Sequence, residues 1–156
     1  MRYLDLSPSL CHALSLRETP FFVFNLDEVR KALRTLRKAL QPDFVAYAVK
    51  CNSLPGVLAT LVKEDCWFEI NNVAELDKVV AAGGSPKRVV NSSPICPARD
   101  VAILHARGVR RFAIDSLAQV ENLSHNAPGC EVFVRLETSN LGSKFALSHR
   151  MGVIPD

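Results

Sequence analysis

Phe44-Val45-Ala46-Tyr47-Ala48-Val49-Lys50-Cys51-Asn52 is the stretch on which the fold turns. Six consecutive apolar residues, rich in β-branched and aromatic types, run into a lysine, with polar residues and a proline beyond it. A run of this length and composition reads as a buried strand. It delivers Lys50 at its C-terminal end. Burial disfavours the ammonium form of a lysine and frees the amine to attack a carbonyl. Taken alone, a strand-end lysine more often just reaches solvent, so the meaning of Lys50 depends on its surroundings.

Working outward, Thr19-Pro20 introduces Phe21-Phe22-Val23-Phe24, a short strand-like run. Residues 1–18 show little periodicity. Asn25 with Glu28 has the spacing of a capping box. Val29, Ala32, Leu33, Leu36 and Leu40 then mark one face of a helix that Pro42 ends. Downstream, helical patterns cover about 54–64, 73–82, 97–107 and 117–125. Strand-like runs fall at Cys66–Ile70, Arg88–Asn91, Arg111–Asp115 and Val132–Leu136. Gly83-Gly84 and Gly108 stand where helix C-termini take a left-handed residue, and Ser116 with Gln119 forms a second capping box.

Strands beginning near 44, 66, 88, 111 and 131 recur roughly every 22 residues. Strand and helix alternating so regularly predict βαβ units and a parallel sheet. An open doubly wound sheet and a (β/α)8 barrel both fit. No GxGxxG follows the first strand, and the even period favours the barrel. A whole barrel takes about 250 residues, so the expected fold is α/β, a partial TIM-type barrel with about five of eight strands. The expected division is an N-terminal segment with a short strand over 1–26 and the first part of the barrel over 27–156.

Composition narrows the function. The 156 residues are 48% hydrophobic with a formal charge of +3, a balance that suits a globular domain and is too slight to indicate nucleic acid. Five cysteines show no CxxC and no zinc spacing, which predicts a reduced, cytoplasmic setting and no metal. No run approaches the length of a membrane span. Barrel enzymes carry their chemistry at the C-terminal strand ends. There the sequence sets Lys50, then Glu69 with Asn71 and Asn72, then Asn91 and Ser92, Asp115, and Arg135. Each has an ordinary structural use, Asp115 as the start of a helix cap and Asn91 as a partner for backbone groups. Their convergence is the signal.

These blocks resemble a known family. Thr19 to Phe24, Tyr47-Ala48-Val49-Lys50-Cys51-Asn52, and Phe68-Glu69-Ile70 with Glu75 are similar to the N-terminal region of the fold-type III decarboxylases that depend on pyridoxal phosphate (PLP). This is the ornithine, diaminopimelate and arginine decarboxylase group. Ala98-Arg99-Asp100, Gly108 to Ser116, Ala127-Pro128-Gly129 and Val132 to Leu136 continue the likeness in order, over about 19–153. The ornithine branch is the nearer, because the diaminopimelate branch usually carries a serine-glycine-glycine stretch where Phe68-Glu69-Ile70 stands. Leu147-Ser148-His149-Arg150-Met151-Gly152 resembles a family Leu-Ser-Arg-Lys-Phe-Gly segment, departing from it at Arg150 and Met151. Ser143-Lys144-Phe145 offers a second register, less favoured by its flanks.

The resemblance implies an alanine racemase-like PLP barrel in which Lys50 carries the cofactor as a Schiff base. It implies that Glu69 holds Lys50 or the substrate amine, and that Arg135 steadies cofactor oxygens. It further implies decarboxylation of a basic amino acid, ornithine to putrescine first, in a homodimer that shares its active sites. The family's ring-stacking histidine, phosphate-binding loops, pyridine-pairing acid and C-terminal β-domain are expected after residue 156. Little activity is therefore expected of these residues alone, and a complementing chain is one way to complete them. Two alternatives stay open: a non-catalytic homologue acting as a regulatory binding protein, and PLP-dependent racemisation, which the strand-end acids fit less well.

Overall fold

The computed structural model describes residues 7–139, 141–144 and 151–154. Helix α1 (Pro8–Ser15) comes first, and the aperiodic sequence did not announce it. Ser7 accepts a hydrogen bond from the Leu10 amide and Pro8 occupies the first turn, the N-terminal chemistry that starts a helix without an apolar stripe. Phe21–Phe24, expected as a short strand, pairs with no strand among the described residues. Phe22 is 89% exposed. An apolar run makes a strand only where a partner can take its backbone groups.

Helix α2 (Leu26–Leu40) begins as expected: Asn25 Oδ1 accepts from the amides of Asp27 and Glu28. It leads to strand β1 (Ala46–Ala48), helix α3 (Pro55–Lys63), strand β2 (Trp67–Ile70) and helix α4 (Val73–Ala81). Strand β3 (Val89–Asn91), helix α5 (Ala98–Ala106), strand β4 (Arg111–Ile114), helix α6 (Leu117–Asn126) and strand β5 (Glu131–Val134) follow. The strands are shorter than their apolar runs because each pairs only as far as its neighbour reaches. Gly83 and Gly108 take positive φ after α4 and α5, as the helix-end reading requires.

All pairings are parallel, and the sheet order is β1-β2-β3-β4-β5. A doubly wound sheet reverses direction from its first strand; this one never does. Each strand is laid beside the last, with its helix outside, as in a (β/α)8 barrel. One isolated bridge, Leu136 with Val153, extends the sheet past β5. Among the described residues β1 and β5 otherwise keep open edges.

The core lies between sheet and helices. Phe68, Ile70, Val89 and Phe112 pack there with Leu58, Leu76, Val79, Val101 and Leu104, all essentially inaccessible. Burying a large apolar side chain contributes about 1.5–3 kcal/mol, so this layer carries the stability of the described fold. No helix among the described residues is long and apolar enough to cross a membrane.

Candidate active site

Alternation along the strands builds the site. Phe68 and Ile70 turn toward the helices, so Glu69 between them faces the concave side, half-buried. Val89 faces the helices in β3, which turns Val90 and then Ser92 to the concave side. β1 ends in a single 3-10 turn, Val49–Cys51, that buries Val49 and leaves Lys50 on the C-terminal rim. Arg135 follows β5, tied to the sheet by its amide, which donates to the Ile114 carbonyl at 2.9 Å.

These side chains touch. Lys50 Nζ lies 3.8 Å from Glu69 Oε1. The Ser92 hydroxyl donates to the same Glu69 oxygen. Arg135 Nη1 donates to the Ser92 carbonyl at 3.2 Å. Lys50, Glu69, Ser92 and Arg135 therefore form one line of contacts across the ends of β1, β2, β3 and β5. Below them the concave face carries an open cavity of about 420 Å³, bordered by Ala46, Glu69, Val90, Ser92 and Phe133. Phe44 and Arg111, which also line it, belong to a stack. Phe44 lies 4.5 Å from Trp67 centroid to centroid, and the Arg111 guanidinium sits 4.5 Å over the Trp67 ring while pairing with Glu131 at 2.8 Å.

Three expectations change. Lys50 is not buried: its side chain is 58% exposed, and among the described residues Glu69 is the carboxylate within ion-pair distance of it. Asn91 does not join the rim. It shares the alternation of Val89, is wholly buried toward the helices, and neither polar atom of its amide has a partner among the described residues. Asp115 is held by a later segment, since its Oδ2 accepts the Gly152 amide at 3.1 Å. Asn72 and Glu75 serve the backbone: Asn72 Oδ1 caps the Glu75 amide at 2.9 Å, and Glu75 Oε2 accepts the Asn71 amide at 2.7 Å. Residues 147–150 of the Leu147–Gly152 segment lie outside the described residues.

Two features escaped the sequence. Ser92 was placed on the rim, but its double contact was not foreseen; its position two residues beyond the inward-facing Val90 was the available signal. Gly152 adopts φ 111°, and a Cβ there would stand 2.6 Å from the Glu137 amide nitrogen, so glycine is what lets this segment lie against Leu136 and Glu137, just past β5. Nearby, burial and the neighbouring Cys51 push the Tyr47 phenol up, while its hydroxyl donates to the Asn52 carbonyl at 3.1 Å. That bond fixes the turn in which Lys50 sits.

Residues 26–149 match the pyridoxal-binding domain of the pyridoxal-dependent decarboxylases. The chain belongs to that family. Lysine/ornithine decarboxylase of Selenomonas ruminantium is 27% identical over 134 residues, 86% of this chain and 34% of its own. Antizyme inhibitor 2 of Xenopus laevis is 32% identical over 133 residues, 85% of this chain and 29% of its own. A solved SrLDC mutant in complex with PLP superposes with a TM-score of 0.88 at 26% identity, covering 99% of this chain and 40% of that one. The chain thus spans about a third of the curated relatives it matches.

The rim fits the cofactor of this decarboxylase family. It presents a reachable primary amine on Lys50, a carboxylate beside it, and a guanidinium on Arg135. Among the described residues no carboxylate lies within ion-pair distance of Arg135, which leaves its charge free for an anionic group.

Proposed function

We propose that this chain carries the cofactor lysine of a PLP-dependent decarboxylase of basic amino acids, with Lys50 as that lysine and ornithine as the substrate. Putrescine is then the product and polyamine synthesis the setting. The observation that carries this reading is the approach of Lys50 to Glu69 on the rim of a pyridoxal-binding domain. PLP, when bound, supplies the electron sink that lets carbon dioxide leave an amino acid.

The chain's own residues prepare that chemistry. Lys50 offers its amine at an open rim, where an incoming amino acid can reach it. Glu69 holds the ammonium form of Lys50, or of a substrate amine that replaces it, through a half-exposed ion pair worth on the order of 1 kcal/mol or less. Arg135, fixed through its backbone and through Ser92, holds an anionic oxygen. Ala46, Val90 and Phe133 give the open cavity beneath an apolar lining. We further propose that residues 1–26 form a segment apart from the barrel portion over 27–156, and that the complete protein works as a cytoplasmic homodimer.

Visible absorbance of the purified chain with PLP tests the reading. A band that forms with the chain, disappears in Lys50→Ala, and responds to ornithine at lower concentration than to lysine, arginine or diaminopimelate is the expected result. Response to another amino acid first would transfer the substrate assignment to it. The 32% identity to an antizyme inhibitor favours a second reading, a regulatory homologue without catalysis. A folded chain that forms no band with PLP would support that second reading against the first.

A further inference from the structure

Ser92 meets the two charged groups of the rim with two different atoms. Its hydroxyl donates to Glu69 Oε1, the oxygen that faces Lys50, and its carbonyl accepts from Arg135 Nη1 at 3.2 Å. We propose that Ser92 is the positioning residue of this rim, holding the Glu69 carboxylate toward Lys50 and anchoring Arg135 in the same residue. For its catalytic meaning the proposal rests on the reading of Lys50 and Glu69 as site residues; the geometry stands without it.

The physical case is one of orientation. A glutamate side chain has three rotatable bonds, and fixing it costs entropy that some contact must offset. The Lys50 ammonium is a weak anchor, because it is 3.8 Å away on a side chain more than half exposed. The Ser92 hydroxyl is the stronger one: a hydrogen bond to an ionised carboxylate is roughly twice as strong as one between neutral groups. Ser92 also stands at a backbone position set by the sheet, since its amide donates to the Ile70 carbonyl at 3.2 Å. Without the hydroxyl, Glu69 is free to turn into the cavity toward Arg111, which lines the same space. Loss of the hydroxyl leaves the Ser92 carbonyl in place, so Arg135 keeps its partner. The effect of Ser92→Ala therefore falls on Glu69 and, through it, on Lys50.

The test reads Lys50 directly and needs no cofactor. The purified chain is treated briefly with acetic anhydride, and the acetylation rate of Lys50 relative to Lys63 is taken by peptide mass. Glu69→Gln removes the charge that holds the ammonium and should raise the Lys50 rate by about threefold, the scale of a half-exposed ion pair. Ser92→Ala should raise it by a similar factor, and Ser92→Thr, which keeps the hydroxyl, should restore the wild-type rate. In the double variant the two effects should not add, because both act through one contact. An unchanged Lys50 rate in Ser92→Ala, or additive effects in the double variant, would overturn the proposal. Thermal melts of each variant separate a moved carboxylate from a disturbed fold, and rescue by threonine does the same in a second way. Failure of the PLP band in the wild-type chain would refute the cofactor assignment while leaving this readout intact.

Discussion

The convex and concave faces of this sheet are made by the same strands and have opposite properties. Phe68, Ile70, Val89, Asn91 and Phe112 are buried toward the helices, whereas Glu69, Ser92 and Arg111, each next in sequence to one of them, remain partly open around a cavity. Side-chain alternation separates the two by a single residue step. One face holds the domain together and the other holds the charged groups of the rim. The lesson is that the residues that carry stability and the charged residues of the rim are separable here, although they share a backbone. A substitution on one face should move one readout and leave the other nearly still.

The sharpest way to break that comparison is Phe112→Ala against Glu69→Gln. Phe112 is fully buried, so its truncation should cost about 3–5 kcal/mol, read as a fall in the urea midpoint at constant slope. Glu69→Gln should cost under about 1 kcal/mol while changing the behaviour of Lys50. Equal losses would mean that the concave face is structural too. Gly152→Ala is next. Its φ and the 2.6 Å approach to the Glu137 amide predict a penalty of about 1–3 kcal/mol. This loss should be local: amide exchange at Glu137 and Val153 should quicken while Phe112 stays protected.

Arg111→Ala removes a cation from the Trp67 face and the pair with Glu131, about 0.5–1 kcal/mol at this partly exposed site. The loss should shrink in high salt if the ion pair dominates and persist if the ring contact does. The smallest effect concerns pH. Arg34 makes two hydrogen bonds to Glu64, at 2.9 and 2.7 Å, and these bonds first, with the guanidinium charge, hold the Glu64 carboxyl below its ordinary value. A depressed folded value means that the contribution is complete above the ordinary carboxylate range and is lost as pH falls through the folded value. Arg34→Ala should therefore lower the melting temperature slightly at neutral pH and leave it unchanged in strong acid. The opposite pattern would contradict the pairing.

Much of the fold was legible. Apolar runs at a constant period can mean little besides repeated βα units, and the capping residues Asn25 and Ser116 start their helices as read. Lys50, Glu69, Ser92 and Arg135 could be gathered on one rim because parallel strands bring their C-terminal ends together. What stayed hidden depended on pairing and on partners. Phe21–Phe24 has strand composition but no neighbour to pair with among the described residues, and composition cannot supply one. Asn91 and Glu69 both look like strand-end polar residues, yet strand phase turns one to the helices and the other to the cavity. The exposure of Lys50 depends on its neighbours in space, which no local pattern records. The Ser92 bridge depends on side-chain geometry between strands and becomes visible only in three dimensions.

The central claim, that Lys50 is the cofactor lysine, is tested most directly by trapping. The chain is incubated with PLP, reduced with borohydride, digested and mapped by mass. The account predicts one dominant modified site, Lys50, with modification falling to background in Lys50→Ala while the melting temperature is retained. Labelling scattered over the surface lysines, or absent from a folded chain, would contradict it.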